Sequence, residues 1–96
     1  MCGGLLRVRV IPPRQEVASG ATATFRCIVE NASGQPYVVA WRRPGARGLA
    51  PNARDVHGVL TISQCSTRDA GDYECTVSSP TEPRPVTGRA HLVVRG

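Results

Sequence analysis

At 96 residues, with 41% hydrophobic and 20% charged positions, the chain has the mixture of one small globular domain, which excludes a disordered segment or a multidomain assembly. Its net charge of +5 comes with 12 basic residues that are all arginine. No apolar run is long enough to span a membrane, so membrane insertion is not expected.

In chain order, residues 1–6 are expected to be a leader or linker, too short for a secretory signal, ahead of a single domain over residues 7–96. The chain reads as a piece of something larger. Arg7-Val8-Arg9-Val10 alternates polar and apolar, as a half-buried strand does, and Pro12-Pro13 ends or bends it. Val17 to Gly20 reads as a short strand and a turn. In Ala23 to Val29, Phe25, Cys27 and Val29 share one face while Thr24, Arg26 and Ile28 share the other. Residues 31–36 have loop composition and carry the glycosylation sequon Asn31-Ala32-Ser33. Tyr37 to Arg42 is the next strand, with Val39 and Trp41 on one face. Pro44 to Gly48 is a turn, and Leu49 to Asp55 reads as irregular. Val59 to Ile62 alternates again, Ser66 to Asp72 is a polar corner, and Tyr73, Cys75 and Val77 face inward on a further strand. Pro80, Pro83 and Pro85 stiffen a loop before the last strand, Arg89 to Val94, with Ala90, Leu92 and Val94 inward. Short strands separated by turns, with no helical period, predict an all-β, two-sheet antiparallel sandwich.

Cys27, Trp41, Tyr73 and Cys75 carry the sharpest pattern. Two cysteines on strands in opposite sheets can staple a sandwich, and Trp41, 14 residues after Cys27, can pack on that bridge. Tyr73, two residues before Cys75, is placed for a hydroxyl bond back to nearby backbone. Leu60-Thr61-Ile62 followed by Asp69-Ala70-Gly71-Asp72-Tyr73-Glu74-Cys75 resembles the L-x-I…D-x-G-x-Y-x-C signature of immunoglobulin domains of the intermediate (I-set) kind, from Val10 to Val94. That resemblance implies a Cys27–Cys75 disulfide with Trp41, Tyr73 and Leu60 in the core. The stretch from Trp41 to Leu49, then Gly58-Val59-Leu60-Thr61-Ile62, is similar to modules of perlecan, the basement-membrane heparan sulfate proteoglycan. This implies a secreted, extracellular matrix module of a tandem array whose partner is a matrix protein such as nidogen.

Cys65 reads as a small buried core thiol. The alternative is a second bridge to Cys2, which would require the leader to fold back along the sandwich. No zinc spacing exists, His57 and His91 are lone surface histidines without a carboxylate pattern, and Ser63, Ser66 and Asp69 lack a nucleophile elbow. Asp69 is expected to be structural, paired with Arg54. No enzyme activity, cofactor, metal or nucleic-acid partner is expected. Two binding surfaces stand out. One is the outer face of the sheet holding the tryptophan strand and the last two strands, with Val38, Ala40, Arg42, Arg89 and His91 beside Glu74, Thr76, Ser78 and Val93. The other is an arginine group, Arg42, Arg43, Arg47 and Arg54, that suits heparan sulfate. A cell-surface receptor or adhesion ectodomain and a cytosolic muscle-type I-set module are the other functions this scaffold serves.

Overall fold

The computed structural model describes residues 7–30, 36–80 and 84–96. Its strands are β1 (Arg7–Ile11), β2 (Arg14–Ala18), β3 (Ala23–Glu30), β4 (Val38–Arg42), β5 (Ala53–Val56), β6 (Val59–Ile62), β7 (Gly71–Ser78) and β8 (Val86–Arg95), with one 3-10 turn at Thr67–Asp69. They form two four-stranded sheets, in the orders β1-β3-β6-β5 and β2-β8-β7-β4.

The expectation of an all-antiparallel sandwich needs one correction, because β2 pairs with β8 in parallel. The Pro12-Pro13 pair, entered through a cis Ile11–Pro12 bond, is a crossover between sheets and not a hairpin turn. β1 lies at the edge of one sheet and β2 at the edge of the other, where proline's missing N–H breaks no ladder. Pro13 still contributes its carbonyl, which accepts the His91 N–H at 2.9 Å.

Alternation places the core. Phe25, Leu60 and Ile62 from the first sheet meet Trp41, Val77 and Leu92 from the second, all of them buried. Phe25 is the hub of the aromatic packing, 6.2 Å from Trp41 and 6.4 Å from Tyr73 between ring centroids. Cys27 and Cys75 bridge the sheets across a sequence separation of 48, their Cα atoms 6.6 Å apart. Gly58, at φ +82°, holds the turn before β6. Its carbonyl accepts two bonds, from the Cys27 N–H at 2.8 Å and from the Trp41 indole N–H at 2.9 Å.

The region from Leu49 to Asp55 is not wholly irregular, since Ala53–Val56 forms β5. Ala-Arg-Asp-Val shows no apolar alternation because the half-buried position carries an acid: Asp55 turns inward and its carboxylate accepts the Trp41 backbone N–H at 2.9 Å. β2 begins at Arg14, ahead of the expected Val17, and β8 begins at Val86, ahead of Arg89.

Gly88 stands opposite Cys75 in the β7–β8 ladder, and β1 from the other sheet passes over it. A methyl group at Gly88 would lie 2.8 Å from Val10 Cγ2 and 2.9 Å from Val8 Cγ1. Gly88→Ala should therefore cost about 1–3 kcal/mol, the usual range for overpacking. A lowered urea midpoint with an unchanged m-value is the expected reading, and an unshifted midpoint would show that β1 is free to move aside.

Candidate protein-interaction surface

The register of the second sheet assembles the outer face row by row. Arg42 on β4, Glu74 on β7 and Arg89 on β8 stand side by side, and the next row holds Ala40, Thr76 and Thr87. Val38 lies opposite Ser78 at the edge, and Asp72 lies opposite His91. Alternation thus brings Val38, Ala40, Arg42, Arg89 and His91 to one face, with Val38 68% exposed. Val93 on the same strand is only half-exposed.

Glu74 is the anchor of that face. Its side chain is 10% exposed because two guanidinium groups cover it, Arg42 Nε at 2.6 Å from Oε1 and Arg89 Nε at 3.9 Å from Oε2. A carboxylate removed from water this far requires such partners. Beside it lies an open concavity of about 580 Å³ lined by Arg42, Glu74, Thr76, Arg84, Pro85 and Thr87. Arg84 and Pro85 come from the proline loop, whose composition signalled stiffness but not that it walls a concavity. The expectation that His91 lacks a carboxylate neighbour is corrected: its Nδ1 lies 2.8 Å from Asp72 Oδ1. The two are 19 residues apart, and only the β7–β8 register makes them neighbours. His57 sits alone in the β5–β6 turn at φ 50° and lines a cavity of about 320 Å³ with Cys27, Val29, Tyr37 and Val39.

The four arginines Arg42, Arg43, Arg47 and Arg54 do not share one surface. Arg42 is held by Glu74. Arg43 lies over the Tyr73 ring, 5.3 Å from its centroid, and donates to the Ala70 carbonyl at 2.6 Å. Arg47 is exposed in the turn after β4, and Arg54 projects from β5 in the other sheet.

The polar corner is built around Asp69, which is 4% exposed. Its pairing with Arg54 is also corrected, since Arg54 points outward beside Thr61. The Asp69 carboxylate instead accepts the Ser66 N–H at 2.9 Å and the Asn52 amide at 3.1 Å. Its backbone carbonyl accepts the Tyr73 hydroxyl at 2.7 Å. Burial pushes the Tyr73 phenol above its ordinary range, with Arg43 opposing, so it stays a neutral donor. Cys65 is free and buried, its thiol donating to the Ile62 carbonyl at 3.4 Å, and burial raises its pKa. The Asn31 sequon and Cys2 lie outside the described residues. Among the described residues no group of histidine, cysteine and carboxylate side chains could hold a metal, and no helix is long and apolar enough to cross a membrane.

The sequence profile of the family described as "Immunoglobulin domain" matches residues 7–79. The chain is 28% identical to the basement membrane proteoglycan of Caenorhabditis elegans over 94% of its own length and 3% of that protein's. It is 35% identical to the basement membrane-specific heparan sulfate proteoglycan core protein of Mus musculus, over 85% of the chain and 2% of the relative. It is 31% identical to neural cell adhesion molecule 1-B of Xenopus laevis, over 80% and 7%. The chain thus spans less than a tenth of each of these relatives. Among solved structures, the N-terminal four Ig domains of Dscam1 isoform 1.9 superpose with a TM-score of 0.74 at 27% identity, over 94% of this chain and 21% of that one.

Proposed function

The chain belongs to the immunoglobulin domain family, and from that premise we propose that it is a non-catalytic protein-binding and structural module of an extracellular matrix protein of the basement-membrane proteoglycan kind. The binding surface in this reading is the outer face of the β2-β8-β7-β4 sheet. The observation that carries it is the Arg42–Glu74–Arg89 row beside exposed Val38 and Ala40. Arg42, hydrogen-bonded to the buried Glu74 carboxylate at 2.6 Å, is held in place before a partner arrives, so less of its side-chain freedom is lost on binding, and Arg89 adds its charge 3.9 Å from the other oxygen. Arginine next to apolar surface is the composition that interface hot spots favour. Support for the matrix setting comes from the two basement-membrane relatives and from the disulfide, which persists in oxidising compartments.

A cell-surface adhesion protein is the second reading, favoured by the 31% identity to neural cell adhesion molecule 1-B. Immobilised nidogen, the partner implied by the perlecan resemblance, separates the two when titrated with the domain. The wild type is expected to bind, and Arg89→Glu to lose at least roughly a hundredfold in affinity, as truncation at an interface centre does. Failure of the wild type to bind nidogen counts against the matrix reading. A confirmed partner that binds Arg89→Glu normally would rule out this face.

A further inference from the structure

The opposite sheet carries a feature that runs across strands. On the outer face of β1-β3-β6-β5, Ile11, Arg26, Val59 and Val56 form one row in register, with Arg9 beside Ile28 on one side and Thr24, Thr61 and Arg54 on the other. Arg7 completes the set opposite Glu30. With strands about 4.8 Å apart and a rise of about 3.4 Å per residue, Arg7, Arg9, Arg26 and Arg54 fall on a diagonal. The steps between their Cα atoms are about 7, 8 and 12 Å, and the line spans about 25 Å.

All four side chains are exposed. Among the described residues, Arg7, Arg26 and Arg54 have no carboxylate partner, and Arg9 has only Glu30 at 4.0 Å, at the end of the line. Four arginines and one glutamate leave this face with a net charge of 4 − 1 = +3. The contrast with the other sheet is sharp, since Arg42 and Arg89 share Glu74 and Arg95 bonds Glu16. Asp55 on β5 does not neutralise the line, because it points inward to the Trp41 N–H.

We propose that this diagonal is a binding track for a linear sulfated polysaccharide. Guanidinium groups bind sulfate and carboxylate oxygens in paired hydrogen bonds, and a line of them suits a polymer whose anionic groups recur along its length. Charge lies in the middle of the face, with Arg26 between Ile11 and Val59. The face differs from the Arg42–Glu74–Arg89 row in that no shared carboxylate neutralises its arginines, and a repeated uncompensated positive charge attracts a polyanion. A single-stranded nucleic acid would require aromatic platforms for its bases. This face has none: Phe25, Trp41 and Tyr73 are buried, and Tyr37 lies just before β4 of the other sheet. The half-exposed aliphatic groups of Ile11, Ile28 and Val56 offer contact to the apolar faces of sugar rings. The track lies on the side away from the Arg42–Glu74–Arg89 row, so it does not depend on that surface and leaves it free for a protein.

The test titrates a heparin-derived octasaccharide against three forms of the domain at roughly 0.15 M salt. One is the wild type. The second is Arg9→Ala/Arg26→Ala/Arg54→Ala. The third is Arg14→Ala/Arg47→Ala/Arg68→Ala, which removes the same charge from exposed positions elsewhere. Far-UV circular dichroism and melting confirm that each is folded. The track variant is expected to lose about tenfold or more in affinity, as the loss of three exposed charge contacts implies, with a shallower salt dependence. The charge-matched variant should stay within about twofold of wild type. The proposal is overturned if the wild type does not bind, or if the two variants lose affinity equally. It is also overturned if a desulfated octasaccharide or single-stranded DNA binds as tightly as the sulfated sugar.

Discussion

Replacing Trp41 by alanine is expected to lower the unfolding free energy by about 3–5 kcal/mol, the usual cost of deleting a buried aromatic side chain. Against a total stability of about 5–15 kcal/mol this is a large share, and a domain at the lower end of that range would be left with a substantial unfolded population. Three losses combine. The indole is 4% exposed and packs on Phe25, so its removal opens a cavity between the sheets. Its N–H bond to the Gly58 carbonyl disappears, leaving that carbonyl with the Cys27 N–H alone. The cavity adjoins the bridge, since Trp41 stands opposite Cys75 in the β4–β7 ladder. Trp41→Phe separates these terms. It keeps most of the volume but removes the donor, and its expected cost is about 1–2 kcal/mol, the scale of one buried hydrogen bond and a small void. Because Trp41 is the single tryptophan, urea unfolding of the variants is followed by far-UV circular dichroism. A loss under about 1 kcal/mol for Trp41→Ala would mean that the core closes around the gap.

What could be read from the sequence follows how local each feature is. Cys27, Trp41, Tyr73 and Cys75 are legible because alternation puts them on one face of their strands and the immunoglobulin resemblance implies that this face is the core, and Tyr73 finds its partner, the Asp69 carbonyl, four residues away. β5 was not legible: Asp55 occupies an inward position for the sake of the Trp41 N–H, which belongs to another strand. Gly88 gave no signal for a related reason. Its lack of a side chain matters only because β1 crosses over it from the other sheet. Glu74 could be read as pointing outward, but not as covered, because the cover comes from Arg42 and Arg89 on the two flanking strands.

Sheet order explains why arginines close in sequence are separated in the fold. Arg42, Arg43, Arg47 and Arg54 are close in sequence, and sequence proximity suggested a cluster. The chain then divides them between two sheets and commits Arg43 to the Tyr73 ring. Arg7, Arg9, Arg26 and Arg54 come from β1, β3 and β5, strands far apart in sequence that the sheet order β1-β3-β6-β5 lines up, with β6 inserted between β3 and β5. Their alignment depends on three registers at once, and a change of one residue in any of them would turn an arginine into the core.

The Cys27→Ala/Cys75→Ala double variant should lose about 4 kcal/mol, the chain-entropy estimate for opening a loop of this length. The separation of 48 residues spans both sheets, so an unbridged unfolded chain gains freedom along half the domain. Some packing is lost as well, because Cys75 is fully buried. Cys65 does not substitute for either half-cystine. Its thiol lies in the core near Tyr73, bonded to the Ile62 carbonyl, and burial holds it in the unreactive protonated form. Thiol labelling followed by peptide mapping reads both points. In the native protein the Cys65 peptide should stay unmodified. After denaturation without reductant it should be modified, while the Cys27 and Cys75 peptides are not. The same protein denatured with reductant should add label at Cys27 and Cys75. Label at either of these in the unreduced protein, or a mapped bridge from Cys65 to one of them, would overturn the pairing. Free thiols at both Cys27 and Cys75 with no bridge to Cys65 would also favour the cytosolic, muscle-type setting, where such a bridge is kept reduced.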